Sequence, residues 1–551
     1  MSATGRFRSL LPSAADYAEV RRSWRHDLLA GVTVGVVALP LALAFGVSSG
    51  AGAAAGLVTA VVAGLVAAVF GGSHVQVSGP TGAMVVVLAP IVAHSGAAAL
   101  GTVCLIAGVL VVVAGALRLG RAVGMIPWPV IEGFTLGIAT IIFLQQVPTA
   151  IGSSGTGGGG NAAVVAARAL AGLTPGDAAW PIATVLAVAA IMVLAPRIRR
   201  GLPGSILAIA VVTVVAVVAG LPLATIGALP HGLPAPSVPD LDLGLLRDLA
   251  VPAATVAALA AIESLLSARV AAAQTGRGFD PDRELVGQGL ASIASGLFGG
   301  MPATGAIART AVNFRSGART RLAAIVHALV LLAVMGVAGS VVSRIPLAAL
   351  AGVLMVTAVR MVSVRTARSV LGSTRSAALL FVLTAVITVA VDLIYAVGIG
   401  IAVAAVLSLR ALARAAGVHR EELPAPAQAG DARIALFRIE GALFFGAAER
   451  VLERVASIQD VTVVVLRLSQ VHHLDATGAQ ALTELVTGLE RRGITVLVKG
   501  IRPAQLPLTR RVGVVAALQQ EGHLFDALDP AVARARELVH REGLAETAGA
   551  R

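Results

Sequence analysis

The chain carries a long succession of apolar blocks, each of about 18 to 22 residues, which is the length that crosses a bilayer core as α-helix. That pattern allows one class of fold, a multi-span helical membrane protein. Fourteen blocks are read at 27–47, 53–70, 79–94, 98–117, 129–147, 179–196, 203–221, 251–273, 286–298, 303–315, 319–340, 346–361, 374–391 and 394–412. Segments 286–298 and 303–315 are too short to cross as full helices, and 79–94 is also short. Only 13% of the residues are charged, against about 25% in a soluble domain. Many of the 61 glycines fall inside the apolar blocks, where small residues let membrane helices pack closely.

The net charge of +13 suggests a nucleic-acid partner at first sight, but its distribution excludes one. The basic residues are mostly arginines in short loops between apolar blocks, as in cytoplasmic loops rather than in a phosphate-binding groove. Met1 to Asp27 is polar, carries Arg6, Arg8, Arg21, Arg22 and Arg25, and reads as a cytoplasmic segment without a secretory signal. The exits of even-numbered blocks carry Arg118 and Arg121; Arg197, Arg199 and Arg200; Arg277 and Arg283; Arg315, Arg319 and Arg321; and Arg360, Arg365, Arg368 and Arg375. The other side carries Arg168, Arg247 and Arg344, with Asp240, Asp242 and Asp248. This bias predicts an even number of spans with both ends in the cytoplasm, hence a multi-pass inner (plasma) membrane protein. Cys104 is the sole cysteine, so no disulfide framework is expected, nor a structural zinc site.

Two stretches depart from the pattern. Residues 152–178, with SSGTGGGGN, read as an exposed glycine-rich outer loop. After Arg414 the composition changes: a linker over 415–430, with PAPAQAGD, leads to alternating strand and helix patterns. IALFRIEGALFFG, a helix-like AAERVLERVASI, the strand VTVVVLRL, a helix over 477–492 and the strand ITVLVKG predict a small α/β domain at 431–545. The expected organisation is therefore an N-terminal segment 1–26, a membrane domain 27–414, the linker and this last domain.

One motif recurs. Gly79-Pro80-Thr81-Gly82-Ala83 opens the third block and Pro302-Ala303-Thr304-Gly305-Ala306 opens the tenth. The separation of seven blocks divides the membrane domain into two halves of seven, the second inverted. Matched Gly/Pro-interrupted short segments in inverted halves point to a transporter binding site. Each helix then starts in mid-membrane with its first amides unpaired. Two such starts facing one another direct two positive dipole ends at one point, which favours an anion. The plainer alternative is that each motif is only a kink in a packed helix.

Among polar residues within the blocks, Glu263 in ALAAIESLLSARV is a candidate proton or cation coupling site, with Ser267 on the same helical face. A structural hydrogen bond to unwound backbone is the alternative. Arg309 supplies charge to the site, pairs with Glu263, or serves topology at a helix end. Glu132 reads as interfacial, and the isolated His74, His94 and His327 read as packing or edge residues. No triad, phosphate loop or metal cluster is visible, so an enzyme is not expected, nor a cofactor.

DLLAGVTVGVVALPLALAFG (27–46), VSGPTGAMVVVLAP (77–90), PVIEGFTLGIA (129–139) and MPATGAIARTAVNFRSGARTRLA (301–323) together resemble the sulfate permease (SulP) family of anion transporters. VVVLRLSQVHHLDATGAQAL (463–482) resembles its C-terminal STAS domain. The resemblance implies fourteen spans in a 7+7 inverted repeat, a core and a gate domain, elevator-like movement and a homodimer. It places substrate at Pro40 and Phe45, at Thr81, Gly82 and Ala83, and at Ala303, Thr304, Gly305 and Ala306. It puts the family's binding-site arginine on Arg309, after Ala308, and its coupling carboxylate on Glu263. Two departures stand out. Leu41 follows the first-span proline where many sulfate-type members carry glutamine or glutamate. Ala476 follows Asp475 where STAS phosphorylation switches commonly carry serine; Thr477 remains as a helix-capping residue. The tail therefore reads as a docking or assembly module for a cytosolic protein partner.

The resulting expectation is a secondary active transporter of a small anion (bicarbonate, sulfate, chloride or a dicarboxylate) coupled to H+ or Na+. Two alternatives remain: a nucleobase transporter of the same inverted-repeat design, and a membrane-anchored STAS signalling scaffold.

Overall fold

The computed structural model describes residues 10–121, 127–153, 161–198, 203–239, 241–391, 393–415, 417–443, 455, 460–518 and 521–549. Arg6, Arg8, Arg199, Arg200, Asp240, the glycine-rich tip 154–160 and, apart from Val455, the helix read into Ala447–Ile458 lie outside the described residues. The chain divides into two compact units, Met1–Ile401 and Ala402–Arg551.

Every one of the fourteen apolar segments coincides with a helix. The first half holds α1 (Val20–Ser48), α2 (Ala53–Phe70), α3 (Gly82–Ser95), α4 (Ala99–Ala116), α5 (Trp128–Ala150), α6 (Ala162–Ala171), α7 (Pro175–Ile198) and α8 (Gly204–Val218). The second holds α9 (Leu243–Thr275), α10 (Pro281–Leu297), α11 (Ile307–Arg315), α12 (Leu322–Val337), α13 (Gly339–Val342), α14 (Leu347–Met361), α15 (Val364–Ser373), α16 (Arg375–Ala390) and α17 (Leu393–Ala415). Two short strands, β1 (Ser78–Gly79) and β2 (Thr304–Gly305), precede α3 and α11.

Three of the departures from the sequence reading have a plain local reason. The stretch taken as an exposed loop contains α6, whose first turn is capped by Asn161 accepting from Ala163 N at 2.9 Å. The helix of the eighth block, α9, starts at Leu243 because Asp242 caps it, accepting from Gly244 N and Leu245 N at 2.9 and 3.2 Å. That of the ninth, α10, starts at Pro281, with Asp280 as cap, and so takes in the charged residues 282–284 that the apolar pattern excluded. Those residues are buried: Arg283 pairs with Asp16, while Asp282 accepts from Gly120 N and Glu284 from Gly72 N and Ser73 N.

The helices sort into two packed groups. The helices α1–α4 pack with α9–α12, and α5, α7 and α8 pack with α14 and α16. Each half of the chain thus divides in the same way between the groups. Small residues set the separations. A Cβ on Gly56 of α2 would lie 2.1 Å from Ala42 O of α1, and one on Gly108 of α4 would lie 2.7 Å from Gly289 O of α10. Backbones this close are reached only where side chains are missing.

The second unit is a five-stranded sheet ordered β3-β4-β5-β6-β7, made of Gly417–Glu421, Ile434–Leu443, Val463–Leu474, Thr495–Lys499 and Leu524–Phe525. The edge strand β3 lies in the stretch read as linker and pairs antiparallel with β4; the remaining pairs are parallel. Its charged sequence, GVHRE, hides the strand pattern. Val463 to Leu466 are fully buried because both faces of β5 are covered, one by α18 (Ala476–Arg491) and the other by α19 (Leu528–Gly549). Asp475, not Thr477, caps α18: its Oδ1 accepts from Gly478 N at 2.7 Å.

Candidate functional site

The two recurring motifs meet. Strands β1 and β2 pair antiparallel, with Ser78 opposite Gly305 and Gly79 opposite Thr304. Extended backbone at membrane depth must satisfy its own polar groups. Here the two broken segments do this for each other, and Ala306 N adds a bond to Val77 O at 2.9 Å. The crossing needs glycine on both strands. A Cβ on Gly305 would fall 1.8 Å from Gln76 Nε2, and one on Gly79, whose φ is +151°, 2.8 Å from Arg309 Nη1.

The two helix starts are not equivalent. In the first motif Thr81 is the N-cap and Gly82 is already helical. In the second, helix begins only at Ile307, with Ala306 as N-cap. The difference follows from hydrogen bonding: Gly305 N donates to Ser264 Oγ at 3.0 Å and Ala306 N is taken by Val77, so both stay extended. Neither start is capped by its own side chain. The amides of the first turns, Gly82 to Met84 and Ile307 to Arg309, therefore have no partner within their helices. Gly305 and Ala306, expected as anion contacts, have their amides committed to Ser264 and Val77, and the next two residues, Ile307 and Ala308, are exposed.

Glu263 lies beside the crossing. Its Oε2 accepts from Thr81 Oγ1 and from Thr304 Oγ1, both at 2.8 Å, and the two hydroxyls are 3.1 Å apart. The Thr81 hydroxyl is turned to this carboxylate and makes no cap to its own helix. Ser267 is fully buried and turned away from this group, with its hydroxyl 3.2 Å from Thr310 Oγ1, which accepts from Val77 N at 3.1 Å. Ser264, not Ser267, is the serine of this helix that reaches the crossing.

Arg309 is 2% exposed, and its Nη2 donates to Pro80 O at 2.5 Å. No ion pair joins it to Glu263 among the described residues. Its Nη1 is buried and has no hydrogen-bond partner among the described residues. Phe45 is buried in α1, its ring edge 3.3 Å from the position of a Cβ on Gly82, and Pro40 is buried five residues earlier in the same helix. Ala83 and Ala303 are buried. Among the isolated histidines, His94 is exposed and His327 is packed in α12 against Gly64. Glu132 is held by Trp128 Nε1 at 3.0 Å on the exposed first turn of α5.

Several residues at the crossing escaped the sequence reading: Gln76, Ser264, Glu284, Gln288 and Thr310. The pair Glu284 and Gln288, four apart on one helix, was the available signal, but it lay across the start assigned to that segment.

Residues 24–384 match the sulfate permease family and residues 425–531 match the STAS domain. The bicarbonate transporter BicA of Synechocystis sp. is 34% identical over 504 residues, covering 87% of this chain and 88% of that protein. The solved transmembrane domain of a cyanobacterial BicA is 35% identical, with a TM-score of 0.64 over 68% of this chain and 98% of that one. The inward-facing murine Slc26a9 anion transporter shares the fold at 17% identity, with a TM-score of 0.83 over 98% of this chain and 96% of that one. A family match over more than half of the chain, with the paired broken helices it contains, leads to one conclusion: this multi-pass membrane protein belongs to the sulfate permease family of anion transporters and carries a C-terminal STAS domain.

Proposed function

We propose that the protein is a secondary active transporter of a small anion held between the starts of α3 and α11 and coupled to H+ or Na+ through Glu263. One observation carries this reading: two helix starts, uncapped by side chains, are brought together by the β1–β2 crossing, with Arg309 Nη1 unpartnered beside them. Each helix start favours an anion by about 0.3–1 kcal/mol, and more where the site is partly buried. The guanidinium adds a full charge that burial leaves little screened. Phe45 and Ala83 give the pocket an apolar wall, and Pro40 belongs to the same helix.

The substrate is bicarbonate or sulfate, in keeping with the BicA relatives and the family as a whole. Leu41 offers no extra hydrogen bond, which favours a weakly coordinated monoanion over sulfate. The three oxygens of Glu263, Thr81 and Thr304 suit either a shared proton or a small hard cation, whose ligands are oxygens. Transport by an elevator-like movement, a homodimer in the plasma membrane with both termini in the cytoplasm, and a docking role for the STAS domain complete the reading. The arginine bias of the loops supports that orientation.

Uptake of labelled bicarbonate and sulfate into proteoliposomes, with and without pH and sodium gradients, tests the proposal. Saturable uptake driven by one of the gradients is expected. Uptake of neither anion under any gradient sinks it. The same assay on a chain ending near residue 415 shows whether the tail is accessory.

A further inference from the structure

Glu284 stands behind the crossing rather than at the helix starts, yet it organises the strands that bring those starts together. Only 2% exposed, it sits in the first turn of α10. Its carboxylate accepts four hydrogen bonds. Oε2 takes Gly72 N and Ser73 N at 2.8 and 3.0 Å, from the turn that follows α2. Oε1 takes Gln76 Nε2 and Gln288 Nε2, each at 2.9 Å. A buried carboxylate without such donors is strongly unfavourable, and these four satisfy it.

The two glutamines do not stop there. Gln288 Nε2 also donates to Ser78 Oγ at 2.6 Å. Gln76 Nε2 lies over the Cα of Gly305, where it fills the space a Cβ would take. Ser78 and Gly305 are the two residues that face each other across the β1–β2 crossing. Each glutamine thus touches one member of that pair, and one carboxylate holds both. Gln76 Oε1 and Gln288 Oε1 are buried and make no hydrogen bond among the described residues. The amides are therefore oriented from their donor ends only, and an acceptor-only carboxylate is the group that can do this.

We propose that Glu284, through Gln76 and Gln288, is a positioning residue that fixes the Ser78–Gly305 crossing and so sets the relation of the two helix starts to the anion. The inference rests on the anion site argued under the proposed function. A small displacement of a binding group is enough to cost substantial affinity, because such sites work by preorganisation. Loosening the crossing therefore weakens anion binding before it stops turnover.

The test uses the full chain in proteoliposomes, with labelled bicarbonate and sulfate as probes. Gln288→Met keeps the volume and removes the link to Ser78. Glu284→Gln replaces the acceptor-only group by an amide, which must set its own NH2 against the Gly72 and Ser73 amides or against the two glutamines. Asp27→Asn is the control for stability alone. Asp27 is another buried carboxylate that accepts backbone amides, from Arg319 and Thr320, away from the crossing. Both network variants are expected to raise the anion KM by about ten-fold, the factor set by loss of a single good contact, with a smaller change in kcat. Asp27→Asn is expected to lower the thermal midpoint and leave KM within about two-fold. If Gln288→Met and Glu284→Gln lower the midpoint as the control does and leave KM unmoved, the positioning role is overturned. Should Glu284→Gln not fold, Gln288→Met decides alone. Arg309→Ala separates the two levels: an unchanged KM in that variant overturns the anion site itself, whereas a raised KM there with unmoved network variants overturns only the role of Glu284.

Discussion

The hydroxyls of Thr81 and Thr304 lie 3.1 Å apart, although 223 residues separate them in the chain. Each belongs to one half of the inverted repeat, and both donate to the same oxygen of Glu263. A change on this carboxylate is thus felt by both helix starts together. That is what coupling between a driving ion and an anion requires: one group whose state biases both contacts.

The proposed coupling through Glu263 depends on its charge. Glu263→Gln is expected to abolish gradient-driven uptake, while exchange of anion against anion across the bilayer persists. Full gradient-driven uptake by Glu263→Gln would sink the coupling role. Thr304→Val keeps the shape but leaves the carboxylate with a single hydroxyl partner. The expected loss is about 1–3 kcal/mol of stabilisation of the charged form, which is read as a shift in the pH or sodium dependence of uptake. Identical dependence in the variant and the parent would count against the arrangement.

Gly56 packs against α1 with no room for a methyl group. A Cβ there would lie 2.1 Å from Ala42 O and 2.9 Å from Gly46 Cα, both backbone atoms that cannot turn aside. Gly56→Ala should therefore force α1 and α2 apart and lower stability by about 1–3 kcal/mol, the usual range for overpacking. Thermal unfolding in detergent measures this. Gly278→Ala, where a Cβ meets nothing within 4 Å, should leave the midpoint unchanged.

Asp475 caps the helix that follows β5, in the position where STAS switches carry their regulatory pair. Its carboxylate is engaged by Gly478 N at 2.7 Å. Asp475→Ala should weaken the helix start by about 1 kcal/mol. Amide exchange in the full chain reports it: faster exchange is expected over 476–491, with the strand amides of 463–474 little changed. Uniform exchange across both segments would show that the cap contributes nothing.

Much of the membrane unit was legible in the sequence because lipid leaves so few choices. Continuous apolar runs give helices, and the repeated proline with Thr-Gly-Ala marks the two breaks. What lay beyond the sequence was the pairing itself. Nothing in the residues says that Ser78 faces Gly305, nor that the second helix waits until Ile307 because Ser264 and Val77 claim the amides before it. Buried charge was the other blind spot. Asp282, Arg283 and Glu284 look like the flank of a span, and only the three-dimensional set of donors makes them interior. In the second unit, the alternation of β4 and β5 was plain, whereas β3 is an edge strand of charged residues with no pattern of its own.

The segment before α1 ends in a charge cluster whose pH dependence can be worked out. Asp16, in a short turn at Ala14–Tyr17, accepts from Arg283 through both oxygens at 3.0 Å, and Arg321 lies 3.7 Å away. The arginines in turn donate to Phe70 O and Ala68 O, at the carbonyl end of α2. Partial burial raises the carboxyl of Asp16. The hydrogen bonds from Arg283 and from Ser13 N, with the charges of Arg283 and Arg321, outweigh that and lower it from 3.8 to about 2. The folded value lies below the unfolded one, so the contribution to stability is present above pH 3.8 and is lost as the pH falls through about 2. A shift of this size corresponds to about 2 kcal/mol. Asp16→Asn is therefore expected to lower the thermal midpoint at neutral pH, and the gap between variant and parent should close as the pH is taken below that window. A gap that stays constant down to the acid limit would show that the carboxylate acts through packing and not through its charge.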